Sequence, residues 1–217
     1  MKKFLLITPI LLTVIAARAD IVVTQKMESA MMNGEMVMKI KGDKGRVDMP
    51  NSPAGAVSMI IDGASGEVST VIHSQKMVMK MGGEQLKAAV DQAKKTAAAT
   101  PSEKPKATGK MEKVGEWDTE IYDANMGGQT AKIWVAKNFP NAEKLKAEML
   151  KISKAMGQGG MDAASADVPG MPVKTEITTA IGKMTTTIIK AVEQTVDAKE
   201  FEVPAGYQSM SMPQIPK

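Results

Sequence analysis

A chain of 217 residues with 28 Lys or Arg against 24 Asp or Glu, no Cys, one His, two Trp, two Tyr and three Phe has the length of one domain with a sizeable core. Without Cys it forms no disulfide and offers no thiolate, so its stability rests on packing. Few aromatic stacking platforms and, beyond residue 19, a single arginine, Arg46, argue against nucleic acid as a partner.

The chain opens with Lys2 and Lys3, an apolar run over residues 4–17, and Ala17-Arg18-Ala19 before Asp20. This order of basic, apolar and small-residue segments predicts a secretion signal, residues 1–19, cleaved after Ala19. No twin arginine precedes the apolar run and no Cys stands at the cleavage site, so an ordinary export route without a lipid anchor is expected. Cleavage takes three of the 28 basic residues and none of the 24 acidic ones, leaving residues 20–217 near neutrality. No later apolar run is long enough for a helical membrane span.

Residues 21–81 predict a succession of short strands. In Gly34-Glu35-Met36-Val37-Met38-Lys39-Ile40-Lys41, Met36, Met38 and Ile40 fall on one face and Glu35, Lys39 and Lys41 on the other, the period of a half-buried strand. Asn33-Gly34 reads as the hairpin turn before it. Strands are expected over 46–49, 56–61 and 67–73, with Asp62-Gly63 and Gly66 as a turn. Lys76-Met77-Val78-Met79-Lys80-Met81 repeats the alternation, with Met77, Met79 and Met81 on one face.

Over 83–99 the period changes: Leu86, Ala89, Val90, Ala93 and Ala97 share a helical face. The helix gives way to a Pro- and Lys-containing linker, placed with its flanks at 100–110. Strands resume at 117–123 and 130–137. Asn141 is placed to cap a second helix with Leu145, Met149, Ile152 and Met156 on one face. A Gly-rich flexible segment, 157–170, leads to strands at 173–177 and 184–196 and a closing strand and tail over 201–212. Roughly ten strands in hairpin order predict a mainly β (α+β) domain over 20–217, an antiparallel curved sheet or unclosed half-barrel with about two helices covering one face.

Several strand motifs together, Gly45-Arg46-Val47-Asp48-Met49, Ile60-Ile61-Asp62, Gln75-Lys76-Met77, Trp117-Asp118-Thr119-Glu120-Ile121-Tyr122, Lys132-Ile133-Trp134-Val135-Ala136 and Phe201-Glu202-Val203-Pro204-Ala205-Gly206-Tyr207, resemble an exported bacterial family known only as a domain of unknown function. That family is similar to the periplasmic lipoprotein carriers and mycobacterial lipid-binding lipoproteins, unclosed half-barrels with helices across an apolar cavity. The resemblance implies a carrier of a hydrophobic small molecule, lipid or lipidated protein. The chain departs from the carriers in entering a strand directly after the signal, and their cavity-mouth arginine is not carried over to Arg46.

No catalytic signature appears, so a non-enzymatic protein without cofactor is expected. Gly63-Ala64-Ser65-Gly66 lacks the final glycine of a nucleophile elbow. His73, the only histidine, has no partner legible in the sequence. Asp162 and Asp167 lack calcium-loop spacing. The 20 methionines are the compositional anomaly. Met suits surfaces that accept varied apolar partners, but the same spacing also serves plain core packing. An apolar ligand cavity is accordingly placed on Met36, Met38, Ile40, Met77, Met79, Met81, Leu145, Met149 and Ile152. Met-x-Met pairs also present thioethers suited to Cu(I); packing inside a core is the simpler explanation, and no metal site is assigned. The leading reading is a periplasmic or secreted binding module. A structural or interaction protein of the envelope with a packed core is the alternative, and a Met-rich Cu(I) binder the lesser one; the oligomeric state stays open.

Overall fold

The computed structural model describes residues 19–30, 33–82, 85, 88, 91, 104–126, 129–155, 167–179 and 182–211. Six strands, β1 (Asp20–Glu28), β2 (Asn33–Lys41), β3 (Lys44–Ser52), β4 (Gly55–Asp62), β5 (Glu67–Ile72) and β6 (Met77–Met81), form one antiparallel meander. Five more, β7 (Lys106–Val114), β8 (Trp117–Met126), β9 (Gln129–Ala136), β10 (Met171–Thr179) and β11 (Gly182–Gln194), form a second. Pairing of β1 with β11 fuses the two wings. The last strand, β12 (Gln208–Ser211), adds to the far side of β6. The resulting twelve-stranded sheet has β12 and β7 as its two edges, so it curves by the usual strand twist without closing.

Register sorts the side chains. Directly opposed residues share a face, so Ile21, Ile40, Gly45, Ile61, Val68 and Met81 form one row across six strands. Val23, Met38, Val47, Met59, Thr70 and Met79 form the next. This inner face carries the main core, in which Val23 and Ile61 are fully buried beside Met38, Ile40 and Val47. The one fully described helix, α1 (Ala142–Ala155), lies on it against β2, β4 and β10, with Leu145 and Ile152 buried. Gly45 makes room for it. A Cβ there would sit 2.6 Å from Cδ1 of Ile152.

The outer face of the first wing is closed by the C-terminal segment. Residues 195–207 run from the end of β11 to the start of β12, crossing beneath the first wing. Val196 and Phe201 pack with Val22 and, farther along, Val203 and Tyr207 pack with Ile60, Val71 and Val78. Asp20 accepts from the backbone N–H of Val196 at 2.8 Å, Arg46 donates to the carbonyl of Glu200 at 2.8 Å, and Lys39 pairs with the Glu200 carboxylate at 2.9 Å. Between the two apolar clusters Asp48 accepts from Ser58 at 2.6 Å and from Arg46 at 2.7 Å. Burial pushes the Asp48 carboxyl up, but the Ser58 and Arg46 hydrogen bonds and the charges of Arg46 and Lys39 outweigh it and hold the carboxyl below its ordinary value.

A carboxyl whose pKa is lower folded than unfolded contributes stability above the unfolded pKa and loses it as pH falls through the folded one. Asp48→Asn is therefore expected to lower the melting temperature at pH 7, and the gap from the parent protein should shrink below about pH 4. Thermal denaturation at both pH values checks this.

Several sequence expectations are corrected. Among the described residues one helix is complete where two were expected: of the helix over 83–99, only Gln85, Ala88 and Asp91 are described, helical and exposed, and its apolar face lies outside the described residues. The signal residues 1–18 and most of 157–170 also lie outside them. Within 100–110, residues 106–110 are strand, the first half of edge strand β7. Asn33-Gly34 begins β2 and is not the turn; the Asn33 side chain accepts from the N–H of Ser29 across the hairpin end at 3.1 Å. Asn141 has φ 53° and gives its side chain to Glu193, so its carbonyl, accepting from the N–H of Leu145, starts the helix. The sheet is antiparallel except where β12 meets β6 in parallel. A long strap, and not a tight hairpin, delivers that strand, and a crossover permits parallel pairing.

Candidate functional site

The inner-face core reaches solvent at the N-terminal end of α1. There a groove of about 290 Å³ opens between Trp117 at the start of β8, Phe139 before the helix, Leu145 on α1, Ile21 on β1, and residues 188–193 of β11. Its floor belongs to the main core: Ile21, Phe139, Leu145 and Ile188 are buried members of it, and Trp117 and Ala191 pack against it. The Trp117 and Phe139 rings lie 4.6 Å apart between centroids, tilted by 40°. The rim is polar. Lys144 pairs with Glu193 at 2.9 Å, and Asn141 donates to the same carboxylate at 3.1 Å. These contacts fix the helix start against β11, so the groove is held between two anchored walls.

A second depression, on the side of Phe139 facing residues 169 and 170, is more open and mixes Lys137, Glu143 and Lys144 with Phe139, Ala142 and Pro169. Its openness encloses an apolar ligand less than the groove does.

The residues expected to line a cavity divide into three groups. Leu145 is in the groove wall. Met38, Ile40 and Ile152 are buried in the packed core, with Met36 and Met149 half-buried against it. Met77, Met79 and Met81 share the same sheet face by register but stand at its far end, half-buried on β6. The groove itself rests on Trp117, Phe139, Ile188 and Ala191, which the methionine pattern does not reveal. The scarcity of aromatics is the available signal, since two of the few stand at the two ends of the chain's β8–β9 hairpin.

The polar cluster on the outer face supplies the partner that His73 lacks in the sequence. Its Nε2 is 2.8 Å from the Ser58 hydroxyl and its Nδ1 2.9 Å from the Tyr207 hydroxyl. Ser58 has one proton, directed at Asp48, and Arg46 also donates to its oxygen at 3.1 Å. Neutral His73 is therefore the Nε2–H tautomer, donating to Ser58 and accepting from Tyr207. This order is the reverse of nucleophile activation, in which the imidazole takes the serine proton. Ser58 is also 2% exposed, and the trio works as a buckle for the strap. Among the described residues, no three His, Asp or Glu side chains gather as a metal site.

A sheet that curves without closing, with a helix on its inner face and an apolar groove beside that helix, defines an open half-barrel. The chain belongs to the DUF4412 family, a domain of unknown function, which it matches over residues 22–207; the family resemblance carried by its strand motifs is thereby borne out. No curated protein matches the chain at a significant level. Among solved structures it is similar to an uncharacterized conserved protein from Thermus thermophilus, at 9% identity and TM-score 0.52 over 89% of this chain and 91% of that one. That likeness shows a shared fold. The lipoprotein LppX of Mycobacterium tuberculosis aligns at 10% identity and TM-score 0.45, over 82% of this chain and 88% of its own. PNGF-II aligns at 10% identity and TM-score 0.41 over 90% of this chain and 31% of that one, so the chain spans about a third of that protein. Neither of these two carries an argument about function.

Proposed function

We propose that this protein is an exported, non-enzymatic binding module that holds one acyl chain, or a similar linear apolar ligand, in the groove beside α1. The observation that carries the reading is the opening of the main core to solvent beside the start of α1: Ile21, Trp117, Phe139, Leu145 and Ile188 wall about 290 Å³ of open space. That volume sits at the low end of the range of about 300–1,000 Å³ typical of small-molecule sites, which suits one chain and not several. An apolar wall with a polar rim favours an amphiphile whose tail enters and whose headgroup stays wet. Met36, Met38, Ile40, Met149 and Ile152 form the packed bed behind the groove, and Met77, Met79 and Met81 extend the same face. Export follows from the signal at residues 1–19, with delivery to the periplasm or the medium.

The packed reading has one observation in its favour. Met38 is 8% exposed and Ile152 is seated on Gly45, so the space directly beneath α1 is filled. The two readings part at Ala191, a small residue in the groove wall. If the groove takes an acyl chain, Ala191→Trp fills it, leaving thermal stability close to that of the parent and weakening a fluorescent fatty acid at least tenfold. In a closed core the same change costs about 1–3 kcal/mol. Titration of parent and variant with the probe decides, and a parent protein that binds no probe refutes the proposal.

A further inference from the structure

The parallel pairing of β12 with β6 sets Met210 directly beside Met79. Neighbouring strands are about 4.8 Å apart, and residues in register share a face, so two methionines far apart in sequence leave the same sheet face from adjacent positions. Met77 and Met81 flank Met79 on that same face. Met210 is 50% exposed and the three methionines of β6 are half-buried. None of the four belongs to the packed clusters formed by the described residues.

An exposed edge gains little from an apolar side chain, because the hydrophobic contribution scales with the area removed from water. Packing therefore does not account for methionine at Met210. Thioether sulfur is a soft ligand that suits Cu(I), and the unbranched, three-torsion side chain lets sulfurs on adjacent strands converge. Lys80 projects from the opposite sheet face, where its ammonium meets Glu67 at 3.0 Å, so it does not oppose a cation here. An uncharged donor set holds a soft monovalent ion and offers nothing to a hard divalent one.

We infer that Met79 and Met210, with a third sulfur from Met77 or Met81, form a binding site for Cu(I). The site lies at the β12 edge, across the first wing from the groove, and is independent of the acyl-chain reading.

The test is a competition between the full mature protein and ferrozine for Cu(I) kept reduced with ascorbate. The parent protein is expected to withdraw one equivalent. Met79→Leu/Met210→Leu, which nearly conserves volume, should weaken retention at least tenfold, whereas Met111→Leu, at a 67% exposed position on the opposite edge, should change nothing. A parent that withdraws no copper, or a double variant that holds it as tightly, overturns the site. Should the double variant fail to fold, methionine-methyl NMR of the parent with Ag(I), a redox-stable analogue, decides the matter. Shifts confined to Met79, Met210 and one flanking methionine support the site, and shifts spread equally to Met111 overturn it.

Discussion

Phe201→Ala is expected to destabilise the protein by about 3–5 kcal/mol, the usual cost of truncating a buried phenylalanine. Phe201 is 5% exposed at the end of a 3-10 turn over Ala198–Phe201, packed on Val22 and Val196. It is the largest apolar anchor of the strap. The polar ties along the strap, from Asp20 to Val196 and from Arg46 and Lys39 to Glu200, depend on its position, and a cavity beneath it would loosen all of them together. Loss of the strap would also release β12 from β6. Chemical denaturation should show the midpoint falling, and limited proteolysis should show new cleavage within 195–207. A loss under about 1 kcal/mol would mean that the hydrogen bonds hold the strap without the phenylalanine.

Gly170→Ala is expected to cost about 2–4 kcal/mol, combining the strain of a left-handed residue, of order 1–3 kcal/mol, with a backbone clash. Gly170 has φ 129°, and a Cβ there would lie 2.6 Å from the carbonyl oxygen of Ala136 and 2.9 Å from Cα of Lys137. Neither backbone atom can swing aside, in contrast to the Ile152 side chain above Gly45. The shift would fall on the start of β10, where Met171 opposes Ala136, and on Val168, which closes an outer-face cluster with Ile133 and Val135. Gly42→Ala is the control, since Gly42 has φ 59° with nothing within 4 Å, and its cost should be about 1 kcal/mol. Denaturant midpoints of the two variants should therefore differ clearly.

Strands whose two faces differ are legible in the sequence. β2 alternates Met or Ile with charged residues because one face meets the core and the other the strap, whereas the alternation of β6 sets three half-buried methionines against Val78, which is buried under the strap, and Lys80, which is exposed. β7 reads as linker because both its faces are largely exposed, so no alternation marks it and only its ladder to β8 makes it a strand. β12 is four residues long and acquires its partner through the strap, a long-range contact with no local trace. The same reason hides the adjacency of Met79 and Met210, which are visible in sequence only as two separate Met-x-Met stretches. Leu145, Met149 and Ile152 announce the inner face of α1 through their helical spacing. Trp117, Phe139 and Ile188 do not announce the groove, because they stand on three separate parts of the second wing and meet only in the folded sheet, where the pairing of β1 with β11 adds Ile21 to them.

Quenching of Trp117 fluorescence by a brominated fatty acid tests the acyl-chain proposal most directly. The chain has two tryptophans; Trp117 lines the groove, whereas Trp134 is 4% exposed with its indole N–H donating to Glu112 at 2.9 Å. With Trp134→Phe, leaving Trp117 as the emitter, saturable quenching is expected, and with Trp117→Phe little or none. Absence of quenching in the Trp134→Phe protein, or equal quenching in both variants, would contradict ligand binding in the groove.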